Sequence, residues 1–266
     1  MIFKFKKSKL VVDCFTYSRV AYELYKIRKA VLFYPEVIKK MSPSYDSFDR
    51  STNVKIASPT IKKCTGINGL YTKGAIMPLW MDYVADPKSC TEGKSALGCT
   101  DPQWADRIVH HDSKQYSPLF NGYHHMKIGS VWNNVEKSGL KFIWMPATYN
   151  MEEYGLNDKI VVPPGLTYYD EQPQSNINLF FKKDVEHFIL RAGTPLIHIV
   201  PLTDKEVEWK CHLVDMQEWF SKNTIPPDLS MHYEGVRNLR YRKDKEISDK
   251  MDAEEKKGKC PFGFGR

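Results

Sequence analysis

The sequence predicts a mainly β protein of sandwich or barrel type that carries a few short helices. Short β-rich runs separated by turn residues fill the last third of the main body, and this spacing is typical of sandwiches and barrels. Sixteen prolines and fifteen glycines are spread over the 266 residues, which favours many short elements over a few long helices. Glu206–Leu213 alternates apolar with polar residues, so we expect a strand with one buried face.

The first part of the chain predicts short strands and short helices in alternation. Lys9–Tyr17 is rich in Val, Phe and Thr, which indicates extended structure. Glu36–Met41 predicts a short helix, and Pro43 ends it because proline cannot continue a helix. Thr60–Tyr71 predicts a strand-to-helix step. The apolar run Gly74–Tyr83 predicts a single buried strand.

The middle of the chain predicts a long loop followed by a β-hairpin. Residues 86–103 are rich in Pro and Gly, and a loop of this length inside a domain is often functional. Arg107–His111 predicts a short strand. Ile128–Asn134 and Leu140–Met145 predict the two arms of a hairpin that turns around Ser138.

The last part of the chain predicts several strands, a short helix and a charged extension. The β-rich runs are Lys159–Val162, Asn176–Phe181, His187–Leu190 and Leu196–Pro201. Val214–Lys222 predicts a short helix, and the mostly charged residues 230–257 predict an exposed one. We therefore expect a single β-rich domain over residues 1–225, with the long loop at 86–103. A charged helical extension with a Gly/Phe-rich tail follows over residues 226–266.

The positive charge of the chain lies at its two ends. The formal net charge is +7. Residues 1–9 contribute +4 and residues 237–266 contribute another +4, which leaves −1 for the body between them. A nucleic-acid groove would carry its basic residues on the folded surface. The pattern therefore favours solubilising ends, with weak, salt-sensitive contact between the basic tails and nucleic acid as the alternative.

Cysteine usage and hydropathy predict a protein of a reducing cytoplasm. The six cysteines form no CxxC pair, which favours free thiols. The residues after Met1 alternate Phe with Lys and precede no apolar segment, so we expect no secretion by a signal peptide. No apolar run is long enough to span a bilayer, and we expect no membrane partner.

Four of the eight histidines lie close together in the sequence, at His110, His111, His124 and His125. His110 and Asp112 have the His-x-Asp spacing that supplies two ligands of a facial triad for non-haem Fe(II). The third ligand would be a histidine of another strand, with His198 and His187 as candidates. The alternative is a set of surface or hydrogen-bonded histidines that bind no metal.

Several segments of the chain together resemble a phage protein family. They are PEVIKKMSP at 35–43, TIKKCTGINGLYTKGAIMPLWMDY at 60–83, and residues 130–150 and 176–202. The most specific parts are the Ile-Lys-Lys-Cys helix start and the Gly193-Thr194-Pro195 strand entry. Over most of residues 30–215 the chain is similar to a family encoded by cyanophages and other marine tailed phages. The resemblance implies a phage origin and a place in the host cytoplasm or the virion, and it brings no assigned activity.

A second resemblance covers residues 163–201. Gly165 and Gly193 have the separation found in trimeric dUTPases, where a Pro-Gly strand with the catalytic Asp precedes a Gly-led strand. Here Tyr168 stands at the position of the catalytic Asp, and His198 stands at the position of the strand's Gln. The resemblance therefore implies a β-clip-like fold and nucleotide binding without dUTP hydrolysis.

These observations lead to three functional hypotheses. The first is a phage-encoded, non-catalytic binding or virion-associated protein, whose partners are other phage or host proteins or a second copy of itself. The second is a nucleotide-binding protein of the dUTPase-like β-clip type. The third is a non-haem Fe(II), 2-oxoglutarate-type oxygenase with Fe(II) as its cofactor.

The C-terminal residues Cys260–Gly265 predict a docking tail. Phe262 and Phe264 alternate with glycine, which permits close approach of the backbone to another surface. Burying each phenyl ring would stabilise a contact by roughly 1.5–3 kcal/mol. We expect deletion of residues 259–266 to weaken binding to a neighbouring copy or to another protein, as measured by light scattering and pull-down. The docking hypothesis is wrong if oligomerisation, thermal stability and partner binding all stay unchanged.

Overall fold

The computed structural model describes residues 9–52, 54–90, 95–100, 108–112, 115–116, 118–170 and 172–222, together with residues 245 and 249. Residue contacts divide the chain into Met1–Asn223 and Thr224–Arg266. In the second unit the two described residues, Lys245 and Asp249, are helical. The rest of the predicted charged helix and the Gly/Phe-rich tail lie outside the described residues.

Sixteen strands are assigned among the described residues of the first unit. They are β1 (Leu10–Thr16), β2 (Arg28–Lys29), β3 (Ser44–Phe48), β4 (Lys55–Pro59), β5 (Ala75–Pro78), β6 (Tyr83–Ala85), β7 (Leu97–Cys99), β8 (Ile108–His111), β9 (Tyr123–Val135), β10 (Lys141–Pro146), β11 (Ile160–Val161), β12 (Gly165–Tyr168), β13 (Gln174–Lys182), β14 (Phe188–Leu190), β15 (Pro195–Pro201) and β16 (Val207–Leu213).

The helices of this unit are short. They are α1 (Arg19–Leu24), α2 (Glu36–Lys40), α3 (Thr65–Thr72), α4 (Thr148–Glu153) and α5 (Met216–Lys222), with 3₁₀ turns at Ala30–Phe33 and Ile61–Lys63. Side-chain caps fix where two of them begin. Ser18 Oγ accepts a hydrogen bond from the Ala21 amide of α1 at 3.2 Å, and Asp215 Oδ1 accepts one from Glu218 of α5 at 2.7 Å.

The larger sheet is organised around β9. Its strand order is β11-β13-β9-β1-β16, and β8 also pairs with β9. The pairing of β1 with β16 is parallel, and the other pairings are antiparallel. β8 and β1 pair with different stretches of β9, because β9 is thirteen residues long. This one strand therefore holds three others in register.

The second sheet packs against the first as the other layer of a sandwich. Its strand order is β12-β10-β15-β5-β2. Buried side chains of both sheets belong to one hydrophobic core. Phe142 of β10 lies 5.8 Å, between ring centroids, from Trp209 of β16, and Ser130 of β9 contacts the Met77 sulfur of β5 at 3.5 Å. The predicted mainly β class with a few short helices is confirmed.

Helix α5 closes one end of this core against β9. The Trp219 indole is fully buried, and its Nε1 donates a hydrogen bond to the Val131 carbonyl at 3.0 Å. In return, the Asn133 amide donates to the Trp219 carbonyl at 2.9 Å. The two reciprocal bonds satisfy polar groups whose burial without a partner would destabilise the fold.

The prediction of one buried strand over Gly74–Tyr83 is wrong, because two strands of different sheets occupy it. β5 belongs to the five-stranded sheet, whereas β6 belongs to a three-stranded sheet of order β14-β6-β7. Between them, Leu79 donates a hydrogen bond to the Thr194 carbonyl at 2.9 Å and accepts one from Gly193 at 2.7 Å. The apolar run is continuous because the chain stays buried while it passes from one sheet to the next.

The predicted hairpin around Ser138 is also wrong. β9 and β10 lie in different sheets and do not pair, so residues 136–140 carry the chain across the sandwich. The buried Glu136 carboxylate accepts hydrogen bonds from the Ser138 and Leu140 amides, both at 2.8 Å. Gly139 has φ +74°, a value that favours glycine. These features stabilise an arch between two layers.

The long loop predicted at 86–103 contains strand β7, which pairs with β6. Residues 91–94 and 101–103 lie outside the described residues. β8 matches the strand predicted at Arg107–His111, except that residue 107 is also outside them. No helix in the described part of the chain is both long and apolar enough to cross a membrane.

The β3–β4 hairpin forms a separate two-stranded sheet. Tyr45, Phe48 and Ile56 are among its exposed apolar side chains. Tyr45 is opposite Ser58 in the hairpin, and Ile56 is opposite Ser47. Because Tyr45 and Ser47 are two residues apart in one strand, Tyr45 and Ile56 lie on the same face of the ribbon. A two-stranded ribbon is only marginally stable alone in water, so this surface is a candidate for contact with another protein.

We expect Gly74→Ala to destabilise the domain by at least about 2 kcal/mol. Gly74 has φ +70°, and an added Cβ would lie 2.0 Å from the Ile199 carbonyl oxygen. Both the backbone strain and the clash with β15 act in the folded state. Urea unfolding followed by tryptophan fluorescence measures the change.

Gly98→Ala is the matched control, because a Cβ at Gly98 meets no atom within 4 Å. Equal stabilities of the two variants would contradict the predicted clash.

Candidate functional site: a lysine-lined pocket and a histidine cluster

A pocket of about 390 Å³ opens at one edge of the sandwich. Three lysines, Lys29, Lys73 and Lys205, and two acidic residues, Asp204 and Glu206, line it. The rest of the lining includes the apolar residues Ala30, Val31, Pro201 and Val207. The pocket thus combines a cationic rim with an apolar wall.

Three separate segments build the pocket. Lys29 ends β2, Lys73 and Gly74 follow helix α3, and residues 202–206 connect β15 to β16. Gly74 lets the backbone pass directly over β15, where any side chain would clash. Its carbonyl accepts a hydrogen bond from the Ala30 amide at 3.1 Å, which joins the first two segments.

Ion pairs engage two of the three lysines. Lys73 Nζ lies 3.0 Å from Asp204 Oδ1, and Lys29 Nζ lies 3.2 Å from Glu206 Oε1. Lys9 also approaches Glu206, at 3.4 Å. The hydrogen bond from Lys29 and the nearby charge of Lys9 lower the pKa of the Glu206 carboxyl group. Lys205 forms no ion pair with any described residue, so its ammonium group can meet a ligand.

His198 lies beneath the pocket, in a place the sequence analysis did not predict. It is buried on β15, and its Nε2 lies 2.9 Å from the Lys73 carbonyl oxygen. A carbonyl only accepts hydrogen bonds, so Nε2 carries the proton. Burial lowers the pKa of the His198 imidazole. This histidine therefore positions the backbone of Lys73 and is not a metal ligand in this arrangement.

A buried tyrosine holds the other side of the pocket. The Tyr71 hydroxyl donates a hydrogen bond to Asn150 Oδ1 at 2.7 Å, and the Asn150 amide donates to the Phe33 carbonyl at 2.7 Å. Burial is the main cause that raises the pKa of Tyr71. The chain of bonds ties α3, α4 and the 3₁₀ turn at Ala30–Phe33 together behind the pocket.

The four clustered histidines are divided between the two faces of the larger sheet. His111 of β8 is directly opposite His125 of β9, and their rings stack at 4.6 Å. His125 also stacks on Phe180 of β13 at 4.6 Å, and Phe180 stacks on Phe120 at 4.1 Å. The result is a column of four rings on the face away from the main core.

His110 and His124 lie on the opposite face, because strand residues alternate. Their ring centroids are 6.4 Å apart. His110 is exposed at the sheet edge, whereas His124 Nε2 lies 3.1 Å from the Pro87 carbonyl oxygen. Clustering in the sequence therefore does not give one cluster in space.

The structure does not bring His110, Asp112 and His198 together. His110 belongs to the larger sheet and His198 to the other one, while Asp112 is exposed just after β8 ends. Among the described residues, no group of three or more His, Cys, Asp or Glu side chains is arranged to hold a metal ion. The physical reason is that β8 and β15 lie in different layers of the sandwich.

Sequence reasoning missed the lysine-lined pocket. Lys29, Lys73 and Lys205 are far apart in the sequence and share no motif. The only local signal was Gly74, which follows Lys73 between a helix and a buried strand. Phe262 and Phe264, predicted to form a docking tail, lie outside the described residues.

Lowering the pH from 8 to 5.5 should reduce the free energy of unfolding. Burial lowers the pKa of His111, His124 and His125 below the ordinary value of 6.5. Below about pH 6.5 the unfolded chain therefore binds protons that the folded chain excludes. A tenfold difference in proton affinity is worth about 1.4 kcal/mol.

Urea unfolding at the two pH values measures this effect. His125→Phe keeps a ring in the column and removes the ionisable group, so its stability should fall less between pH 8 and 5.5. An equal fall in the wild type and the variant would show that His125 does not contribute.

No family model matches this chain, and no curated protein matches it. The function is therefore inferred from the geometry of the pocket and from the residues that line it.

Proposed function

We propose that this chain is a phage-encoded, non-catalytic binding protein whose pocket takes an anionic small molecule. The observation that carries the proposal is the convergence of Lys29, Lys73 and Lys205 on one cavity. The phage origin, and with it a place in the host cytoplasm or virion, is supported by the sequence resemblance over residues 30–215.

The electrostatics of the lining favour an anion. Three lysines face two carboxylates, and Lys9 lies beside Glu206 as a further cation. Because Lys205 has no ion pair among the described residues, a phosphate group could bind it without breaking an existing contact. Lys29 and Lys73 would exchange or share their carboxylate partners, which are exposed and easily rearranged.

The size and polarity of the pocket suit a nucleotide. Small-molecule sites span roughly 300–1,000 Å³, and this cavity measures about 390 Å³. Ala30, Val31 and Val207 supply an apolar wall on which a base or another ring could lie. Nucleotide binding, the second of the three hypotheses, is therefore the specific function proposed for this pocket.

The lining favours binding over catalysis. General acid–base chemistry uses carboxyl groups opposed across a substrate, whereas Asp204 and Glu206 are exposed and paired with lysines. The His198 imidazole lies under the pocket with its Nε2 proton engaged by the Lys73 carbonyl. The Fe(II) hypothesis loses its support because, among the described residues, no three His, Cys, Asp or Glu side chains are arranged to hold a metal ion, and this includes both candidates for the third ligand, His198 and His187.

Contact with another protein is a second candidate function, favoured by the exposed apolar side chains of the β3–β4 hairpin. The measurements described above for the tail deletion also test the hairpin. Ile56→Ser removes one of these side chains, and Ala57→Ser on the same strand is its control. If neither oligomeric state nor virion association depends on Ile56, the hairpin has no docking role.

Lys205→Ala should weaken nucleotide binding by roughly ten- to a hundredfold, since one hydrogen bond to a charged group contributes roughly 1.5–3 kcal/mol. Isothermal titration calorimetry with ATP and with inorganic tripolyphosphate measures the loss. The two probes separate the contribution of the phosphates from that of the base.

Lys210→Ala is the matched control. Lys210 is an exposed lysine of β16 outside the pocket lining, so its loss changes the net charge equally. The proposal fails if the wild type binds neither probe, or if both variants lose affinity to the same extent.

A further inference from the structure

Two cysteines from distant parts of the sequence face each other in the larger sheet. Cys14 of β1 is the direct partner of Cys211 in the parallel strand β16. Directly opposed residues on neighbouring strands point to the same face. Cys14 is fully buried, and Cys211 is partly exposed. Both are free thiols.

The strand geometry suits a disulfide bond. Neighbouring strands lie about 4.8 Å apart, and disulfides join residues whose Cα atoms are roughly 4.4–6.8 Å apart. The register continues without a shift on both sides of the pair, from Leu10 opposite Val207 to Thr16 opposite Leu213. A bond between the two sulfur atoms therefore needs no change in strand pairing.

The surroundings give the two thiols different roles. The Cys211 thiol lies 3.5 Å from the Ile27 carbonyl oxygen. A hydrogen bond from Cys14, together with the charges of Lys26 and Arg28, lowers the pKa of Cys211. Burial is the main cause that raises the pKa of Cys14. Cys211 is thus the thiol more readily ionised, and Cys14 is the protected one.

Further polar groups surround the buried thiol. Asn134 of β9 is the partner of Cys14 on its other side. The Asn134 side chain and the Tyr169 hydroxyl are buried, and the Tyr169 hydroxyl is hydrogen-bonded to Ser175 and Asn134. The thiol pair therefore lies against a polar part of the core.

We propose that Cys14 and Cys211 form a reversible disulfide when the domain meets a hydroperoxide. The Cys211 thiolate attacks one peroxide oxygen, so that an S–O bond forms and the O–O bond breaks. The oxygen that leaves takes a proton from solvent and departs as water, or as an alcohol if the oxidant is organic. Cys211 is then a sulfenic acid.

The second step joins the two strands. The Cys14 sulfur attacks the Cys211 sulfur, the S–S bond forms, and the S–O bond breaks. The departing hydroxide takes the Cys14 proton and leaves as water. Two thiols are oxidised to one disulfide and the hydroperoxide is reduced, so atoms and electrons balance. A small dithiol reverses the reaction by thiol–disulfide exchange.

Peptide mapping of the oxidised full-length chain tests the proposal. The native protein is treated with hydrogen peroxide, quenched with catalase, denatured and alkylated with N-ethylmaleimide before mass spectrometry. We expect a cross-linked peptide pair containing Cys14 and Cys211, and its loss after dithiothreitol. The oxidised domain should also melt at a higher temperature, because the bond closes a loop that spans most of the described domain.

Three variants separate the roles of the thiols. In Cys14→Ala, dimedone should trap Cys211 as its sulfenic acid. In Cys211→Ala, the Cys14 thiol should disappear at least about tenfold more slowly than in the wild type. Cys64→Ala is the control, because Cys64 is exposed and is not paired with Cys14 or Cys211 across the sheet, and it should leave the cross-link intact.

If a variant does not fold, the peptide map of the oxidised wild-type protein tests the proposal by itself. The proposal is overturned if Cys14 and Cys211 both remain open to alkylation after oxidation, or if either one is cross-linked to another cysteine instead. It is also overturned if Cys14 is oxidised equally fast with and without Cys211. Nucleotide binding does not enter these measurements, so the two proposals stand or fall separately.

Discussion

The hydrogen-bond ladder of β9 is the constraint on which the rest of the structure depends. This strand pairs with β13 along one edge and with both β8 and β1 along the other. Most of its residues are buried, including the polar Ser130, Asn133 and Asn134. Helix α5 provides a partner for one of them, because the Asn133 amide donates a hydrogen bond to the Trp219 carbonyl. If β9 lost its register, the strands β13, β8 and β1 and the helix α5 would all lose their contacts with it.

The same ladder explains why neighbouring histidines have different environments. Strand alternation turns His124 and His125 to opposite faces of β9. His125 then joins an aromatic column whose rings span β8, β9 and β13, whereas His124 meets the Pro87 carbonyl. The column packs on the face of the sheet that is turned away from the sandwich core. Its histidines contribute mainly packing, and their burial makes protonation unfavourable.

Local patterns predicted the strands better than they predicted the connections. The alternation in Glu206–Leu213 and the β-rich run at Lys9–Tyr17 correspond to β16 and β1, because burial of one face leaves a period of two in the sequence. The turn around Ser138 looks the same whether the chain returns to its own sheet or crosses to the other. What decides is the pairing of β10 with β15, which lies far along the chain. The pocket was missed for a similar reason, since its three lysines meet only after β2, α3 and β15 are in place.

The pocket and the thiol pair both depend on the register of the parallel strands β1 and β16. At its start, the Leu10 amide donates a hydrogen bond to the Glu206 carbonyl at 3.0 Å, which fixes the loop that presents Lys205 to the pocket. Near its middle, the same pairing sets Cys14 opposite Cys211. A slip by one residue would place Cys14 opposite Lys210 or His212 and turn the facing side chains to different sides of the sheet. β1 and β16 must therefore pair in this one alignment for both the pocket and the thiol pair to form.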